Sequence, residues 1–103
     1  MAQQILQVNF KFNVPREQYE NTVSPMAQDF AEVSGCLWKV WLMNEAEHEA
    51  GGIYLFDSEA AAQSYLVGPI VAVLKSSPAI SNISAKLFDV LESHTAITRG
   101  PLK

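Results

Sequence analysis

Two neighbouring segments of this chain are apolar on both of their faces, and this feature restricts the possible folds more than any other. Within residues 36–43 and 50–56 the only charged side chain is Lys39. Short apolar runs rich in aromatic and branched residues predict strands, and the polar residues 44–49 between them predict a hairpin connection. A sheet that contains both strands has to be covered on both sides.

Strict alternation assigns faces to each predicted strand. Residues 5–12 form the first strand, whose apolar face is Leu6, Val8, Phe10 and Phe12. In the second strand, Cys36, Trp38, Val40 and Leu42 lie opposite Leu37, Lys39, Trp41 and Met43. In the third, Gly52, Tyr54 and Phe56 lie opposite Gly51, Ile53 and Leu55. Residues 83–91 form the fourth, with Ile83, Ala85 and Leu87 opposite Ser84, Phe88 and Val90.

Two helical segments separate these strands. The first begins near Pro15, ends at the pair of residues 34–35, and contains Pro25, which predicts a kink or break. The second covers residues 60–67 behind an N-cap at residues 57–59 and resumes over 70–75, after an interruption at residues 68–69. The resulting order, β-α-β-β-α-β, predicts an α+β ferredoxin-like protomer with a four-stranded antiparallel sheet and helices on one face.

The sheet face without helices needs a cover of its own. No linker divides the chain, so residues 1–103 form one domain, and no remaining segment is large enough to cover that face. A second copy of the sheet is the economical solution, which predicts a homodimer with a pocket on or between the open sheet faces. The tail, residues 92–103, is expected to be loose or to dock on a partner.

Composition excludes several classes of function. The formal net charge is −4 with only 7 Lys and Arg in 103 residues, which argues against nucleic-acid binding and against anionic membranes. The single cysteine, Cys36, excludes an internal disulfide and a Cys-x-x-Cys site. Two histidines, His48 and His94, without ligand spacing argue against a metal site. With neither a signal peptide nor a spanning segment in view, we expect a cytoplasmic protein.

Four runs of this sequence resemble one family. Residues 6–13, the Leu-Trp-Lys-Val-Trp run at 37–41, the His-Glu-Ala-Gly-Gly-Ile-Tyr-Leu-Phe run at 48–56, and residues 85–90 are similar to the YdhR-type putative monooxygenases of the dimeric α+β barrel superfamily. The likeness covers residues 6–92. It implies a homodimer and an oxygenase that acts on a small aromatic or polycyclic molecule without metal, flavin or other cofactor.

Three polar residues of these runs are candidates for catalysis. Oxygenation without a cofactor needs a base to form the substrate anion, and His48 has the appropriate pKa range. The adjacent Glu49 would fix its tautomer. Lys39 would stabilise the anion electrostatically. The alternative for His48 and Glu49 is an ordinary polar hairpin, and for Lys39 a side chain that reaches solvent or pairs with Glu49.

Aromatic residues on the strands are candidates for holding the substrate ring. Trp38 and Trp41 face opposite sides of their strand, and we favour Trp41 as the one in the pocket because it shares a face with Lys39. The other predicted contacts are Tyr54, Phe56, Phe88 and Asn9. The alternative is core or interface packing for the aromatic residues and a solvated side chain for Asn9. Gly51 and Gly52 predict a bulge or a close backbone approach and no phosphate loop.

Two other functions fit the same features. One is a dimer without catalytic activity that binds a small hydrophobic molecule or serves in a stress response, because the same aromatic wall would suit it. The other is a haem-handling enzyme, which we rank lower because neither His48 nor His94 is predicted in a helix that faces the sheet. A base inside the pocket would favour the oxygenase.

Overall fold

The computed structural model describes residues 3–102, which contain four strands and five helices. The strands are β1 (Gln4–Phe12), β2 (Cys36–Asn44), β3 (Glu49–Phe56) and β4 (Ile80–Asp89). The helices are α1 (Arg16–Val23), α2 (Ala27–Ala31), α3 (Glu59–Leu66), α4 (Pro69–Ser76) and α5 (Glu92–Ile97). All strand pairs are antiparallel in the order β2-β3-β1-β4, which confirms the predicted ferredoxin-like fold.

Proline and glycine divide the helical segments where the sequence predicts. A 3-10 turn at Ser24–Met26 separates α1 from α2, because Pro25 has no N–H to continue the helical hydrogen bonds. Ser58 caps α3, its Oγ accepting a hydrogen bond from the Ala61 N–H at 3.2 Å. The helix stops before Gly68 and resumes with Pro69 as the first residue of α4.

The main core lies between the helices and one face of the sheet, which we call the helix face. Leu6, Val8, Phe10 and Phe12 of β1 lie there, as predicted. The register places Ala50, Tyr54 and Phe56 of β3 beside them. Tyr19, Val23 and Phe30 from α1 and α2 pack onto this layer. The opposite side of the sheet, the open face, carries Ile53 and Leu55 from β3 and Phe88 from β4.

An irregularity at the start of β2 changes which residues share a face. Cys36 pairs with Phe56 but Trp38 pairs with Leu55, so Leu37 is an extra residue in the ladder. Cys36 therefore lies on the helix face with Lys39, Trp41 and Met43, and its predicted place beside Trp38 is wrong. The remaining apolar residues of the strand lie on the open face, namely Trp38, Val40 and Leu42.

The tail folds back on its own chain, which corrects the expectation that it is loose. It contains α5, and its end lies against the open face, where the Trp38 Nε1–H donates to the Pro101 carbonyl at 2.6 Å. Gln3 Nε2 donates to the Leu102 carbonyl at 2.7 Å. The tail supplies the acceptor that a partly buried indole N–H requires. No helix within residues 3–102 is long and apolar enough to cross a membrane.

Candidate active site

The ammonium group of Lys39 lies among three aromatic rings between the sheet and α2. Its Nζ is 3.3 Å from the ring centroid of Phe30, 3.5 Å from that of Trp41 and 4.7 Å from that of Tyr54. These distances are within the range of cation–π attraction. We call these four residues the Lys39 cluster. Phe30 comes from α2, and the other three come from β2 and β3, so the cluster joins the helix layer to the sheet.

Two glycines of β3 allow this arrangement. A Cβ at Gly52 would lie 2.7 Å from Cε of Lys39, so the missing side chain is the space through which the lysine stem passes. A Cβ at Gly51 would collide with the Val8 carbonyl of the neighbouring strand. The predicted close backbone approach is therefore confirmed at Gly51, and Gly52 has the separate role of admitting Lys39 to the helix face.

Burial sets the protonation behaviour of Lys39. Desolvation lowers the pKa of its amine to about 7, and the neighbouring Cys36 raises it by a smaller amount. None of the ion pairs within residues 3–102 includes Lys39, and Glu49 pairs with Lys11 at 4.0 Å, so the expected alternative of a Lys39–Glu49 pair is wrong. Near neutral pH the amine therefore exists both with and without its proton.

Two tyrosines complete the polar part of this region. The hydroxyl oxygens of Tyr54 and Tyr65 are 2.9 Å apart and share a hydrogen bond in the core. Burial is the main cause that raises the pKa of Tyr54 well above its ordinary value and that of Tyr65 to about 12. Both phenols therefore keep their protons over the physiological range, and the Lys39 amine is the group nearby that exchanges one.

The free space around the cluster is divided by Trp41. A small cavity of about 10 Å³ has Phe30, Lys39, Trp41 and Tyr54 in its wall and has room for one water molecule at most. Grooves of about 230 Å³ and about 250 Å³ open to the surface between the edge strand β2 and the helices α1 and α2. Trp41 lines the cavity and both grooves.

A larger groove runs between the helices themselves. Its volume is about 660 Å³, and it lies between α2 on one side and α3 and α4 on the other. Tyr65 lines it, so the Tyr54–Tyr65 hydrogen bond connects the wall of this groove to the Lys39 cluster. Asp29 and Glu32 give its rim a negative charge.

The predicted ring-binding residues do not share one pocket on the open face. Trp41, Tyr54 and Phe56 lie on the helix face, because β2 and β3 both turn these positions toward α2 and α3. Trp38, Phe88 and Asn9 lie on the open face. The prediction that Trp38 and Trp41 face opposite sides is confirmed, whereas the expected open-face position of Trp41 is wrong.

The open face has a groove of its own beneath the tail. It has a volume of about 500 Å³, and Trp38, Asp89 and His94 are among its lining residues. His94 belongs to α5, a helix that the sequence analysis did not predict. Asn9 lies further along the face, where its Oδ1 accepts a hydrogen bond from Gln7 Nε2 at 3.0 Å.

His48 and Glu49 lie at the exposed end of the β2–β3 hairpin. His48 follows the 3-10 turn Glu45–Glu47, is exposed, and has a left-handed backbone with φ of 53°. Its ring lies 5.5 Å from that of Phe12, which itself stacks on Tyr19. The Asn44–Glu49 pair that closes the hairpin is five positions from Lys39, about 17 Å along the strand. His48 is therefore separate from the Lys39 cluster.

The helices contribute two residues that sequence reasoning did not assign to the site. Phe30 and Tyr65 were recognisable only as apolar positions at helical spacing, which is the pattern of any core residue. Their relation to Lys39 depends on how α2 and α3 lie on the sheet. Among residues 3–102, no group of three His, Cys, Asp or Glu side chains is placed to hold a metal ion.

Comparison with known families gives a match over nearly the whole chain. The family described as putative mono-oxygenase ydhR matches residues 5–101. No match was found among the curated proteins.

Solved structures of similar fold include proteins with and without a known activity. The NE2512 protein of unknown function from Nitrosomonas europaea is 20% identical, with a TM-score of 0.75 over 88% of this chain and 91% of that one. SnoaB, a cofactor-independent oxygenase from Streptomyces nogalater, is 16% identical, with a TM-score of 0.70 over 87% and 94%. The haem degrader MhuD from Mycobacterium tuberculosis is 18% identical, with a TM-score of 0.65 over 84% and 95%. At these identities the likeness shows the fold alone.

Proposed function

This chain belongs to the ydhR family of putative mono-oxygenases, and on that premise we propose that it is a cofactor-independent monooxygenase that acts on a small aromatic or polycyclic molecule at the Lys39 cluster. The observation that carries the proposal is the amine of Lys39, which lies among aromatic rings without a carboxylate partner in the described chain. SnoaB, which shares the fold, supports a reaction of this class.

The reaction needs one proton acceptor and one stabiliser of negative charge, and Lys39 supplies both. The neutral amine removes a proton from a weakly acidic C–H or O–H of the substrate, and the ammonium that results stabilises the anion. The anion gives its electrons to dioxygen and forms a peroxide on carbon. Loss of water then leaves a carbonyl, so that CH₂ and O₂ become C=O and H₂O. All four electrons come from the substrate, and no external reductant is required.

Lys39 replaces His48 as the base in this proposal because of their positions. His48 is exposed at the hairpin end, where water competes for its proton, and Phe12 and Tyr19 separate it from the cavity. Lys39 borders the cavity, and burial brings the pKa of its amine to about 7. A general base works best when its pKa is close to the working pH, because much of it is then unprotonated and it still accepts a proton readily.

The open face supports the second part of the proposal, a homodimer. Val40 and Phe88 are 51% and 46% exposed there in the single chain, an unusual exposure for apolar side chains of a central sheet. The open face of a second copy would bury Val40 and Phe88, and it would cover the apolar side chains that β2 and β3 place on this face. The Lys39 cluster lies on the other side of the sheet, so each protomer would hold a complete site.

The experiment compares three variants in an assay of oxygen uptake and product formation with an anthrone, after dialysis against a chelator. Lys39→Met is expected to lower the rate by about 10²–10⁴-fold, the usual effect of removing a positioned general base. Lys75→Met, which removes an exposed lysine at the end of α4, is the matched control and should retain the parent rate.

His48→Ala is the third variant and is expected to stay within about twofold of the parent. A large loss in His48→Ala with full activity in Lys39→Met would return the role of base to His48. Absence of turnover in the parent with anthrones, naphthols and hydroquinones would reject the oxygenase, and would favour a protein that only binds such molecules.

A further inference from the structure

We propose that the Trp41 indole occupies the place of the substrate ring in the free protein, and that a neutral, electron-rich planar ring binds by displacing it and stacking over Lys39. The inference rests on the proposed function for the location of the site. It adds the class of ligand and the side chain that has to move.

Trp41 is the most exposed ring of the Lys39 cluster. It is 40% exposed, whereas Phe30 and Tyr54 are buried. It lies on β2, the edge strand of the sheet, so one side of its ring has no neighbouring strand. Its contacts are an edge-on approach to Phe30 at 5.0 Å and 79°, and the Lys39 ammonium over its face. No hydrogen bond within residues 3–102 holds its indole N–H, in contrast to the N–H of Trp38.

The indole also divides space that would otherwise be continuous. The two grooves at the β2 edge are each below the roughly 300 Å³ at which ligand pockets usually begin, and the small cavity admits one water molecule at most. Trp41 lines all three spaces. Rotation of its side chain away from the sheet would join them into one site with Lys39 in its wall.

The chemistry of the vacated position defines the ligand. The Lys39 ammonium has Phe30, Trp41 and Tyr54 as its neighbours, so removal of the indole takes away one of its three π faces. An incoming ring restores that attraction only if it offers an electron-rich face, as indoles, naphthols and hydroxylated polycycles do. In the proposed reaction the proton is removed from the ring after it has bound, so the ring enters in its neutral form.

The first test is chemical complementation of Trp41→Gly by free indole, measured as the rise in melting temperature with indole concentration. Trp38→Gly removes the same side chain from the opposite face of the same strand and is the matched control. We expect indole to bind Trp41→Gly at least about tenfold more tightly than it binds Trp38→Gly or the parent. Equal responses of the two variants, or no response in Trp41→Gly, would overturn the proposal.

A second measurement uses the parent protein and does not depend on a variant that folds. With both indole nitrogens labelled with ¹⁵N, titration with 2-naphthol should shift the Trp41 N–H signal saturably and leave the Trp38 signal in place. A shift of Trp38 alone, or of neither signal, contradicts the displacement. Both readouts report binding without turnover, so a protein that passes them and oxidises no substrate retains this inference and loses the proposed function.

Discussion

Trp38 and Trp41 lie three residues apart on one strand, and the sheet gives them opposite surroundings. On the open face the Trp38 N–H is tied to the Pro101 carbonyl, so this indole fastens the tail to the sheet. On the helix face Trp41 has only ring contacts and a cation over its π face. The same residue type therefore holds the tail on one side of the strand, and on the other side it lines the proposed site as the side chain that the ligand displaces. The difference comes from the partners each face provides.

The two faces also differ in how completely the single chain covers them. The helix face is covered by α1 to α4, which bury most of its large side chains and leave Trp41 exposed at the sheet edge. The open face is covered by the tail at one end, while Val40 and Phe88 stay about half exposed. We infer that the first face stabilises the protomer and that the second face supplies the contact between protomers.

The largest expected effect is a difference in the free energy of unfolding between a substitution on the helix face and one on the open face. Phe56→Ala on the helix face should lower the free energy of unfolding by about 3–5 kcal/mol at any protein concentration, because it leaves a cavity in the core. Phe88→Ala on the open face should cost less in the monomer, where the side chain is half-buried, and more at concentrations where the dimer forms. Urea unfolding at the lowest usable protein concentration and at about 100 times that concentration tests both expectations. If both variants lost the same free energy of unfolding at every protein concentration, the proposed difference between the two faces would be contradicted.

A change in oligomeric state is the next effect in size. Val40→Asp places a carboxylate on the open face of strand β2 and should give a monomer or an aggregate, because a buried unpaired charge disfavours association. Val73→Asp is the matched control, since Val73 is 55% exposed on α4 against 51% for Val40. Sedimentation velocity should show a dimer for this control and for the parent. A parent that is monomeric at micromolar concentration, with ordinary stability, would remove the homodimer from the proposal.

The smallest expected effect is a slope of stability with pH that belongs to Lys39. Burial lowers the pKa of its amine from 10.5 to about 7, so above pH 7 the unfolded chain holds a proton that the folded chain has lost. Stability therefore rises with pH from about 7 to 9, and Lys39→Met should remove that rise. Above pH 10 the buried Tyr19, with its pKa raised to about 12, acts in the opposite direction, which limits the window. An identical slope in both proteins would contradict the assignment.

Sequence patterns predicted the architecture well because alternation and helix breakers are local. The strands, the break at Pro25 and the resumption at Pro69 all follow from neighbouring residues. The faces of β2 near Cys36 did not follow, since a single extra residue at Leu37 shifts the register without any signature in composition.

The candidate site was less predictable for a different reason. Lys39 and Trp41 were identified as candidates from the chain, but the identity of their neighbours depends on helix placement, which no local pattern encodes. His48 was singled out by its chemistry alone, and chemistry does not report exposure. The tail carries few apolar residues, so its attachment through one indole hydrogen bond could not be anticipated.

The break at Pro25 has a consequence for how the site opens. The cover over the Lys39 cluster is made of α1 with eight residues and α2 with five, each shorter than the roughly 12–15 residues at which a helix holds together by itself. The sheet beneath is one cooperative unit in which β1 is paired along both edges. We infer that local unfolding costs less free energy in the cover than in the sheet, so that α2 would separate from Trp41 before the strands lose their register.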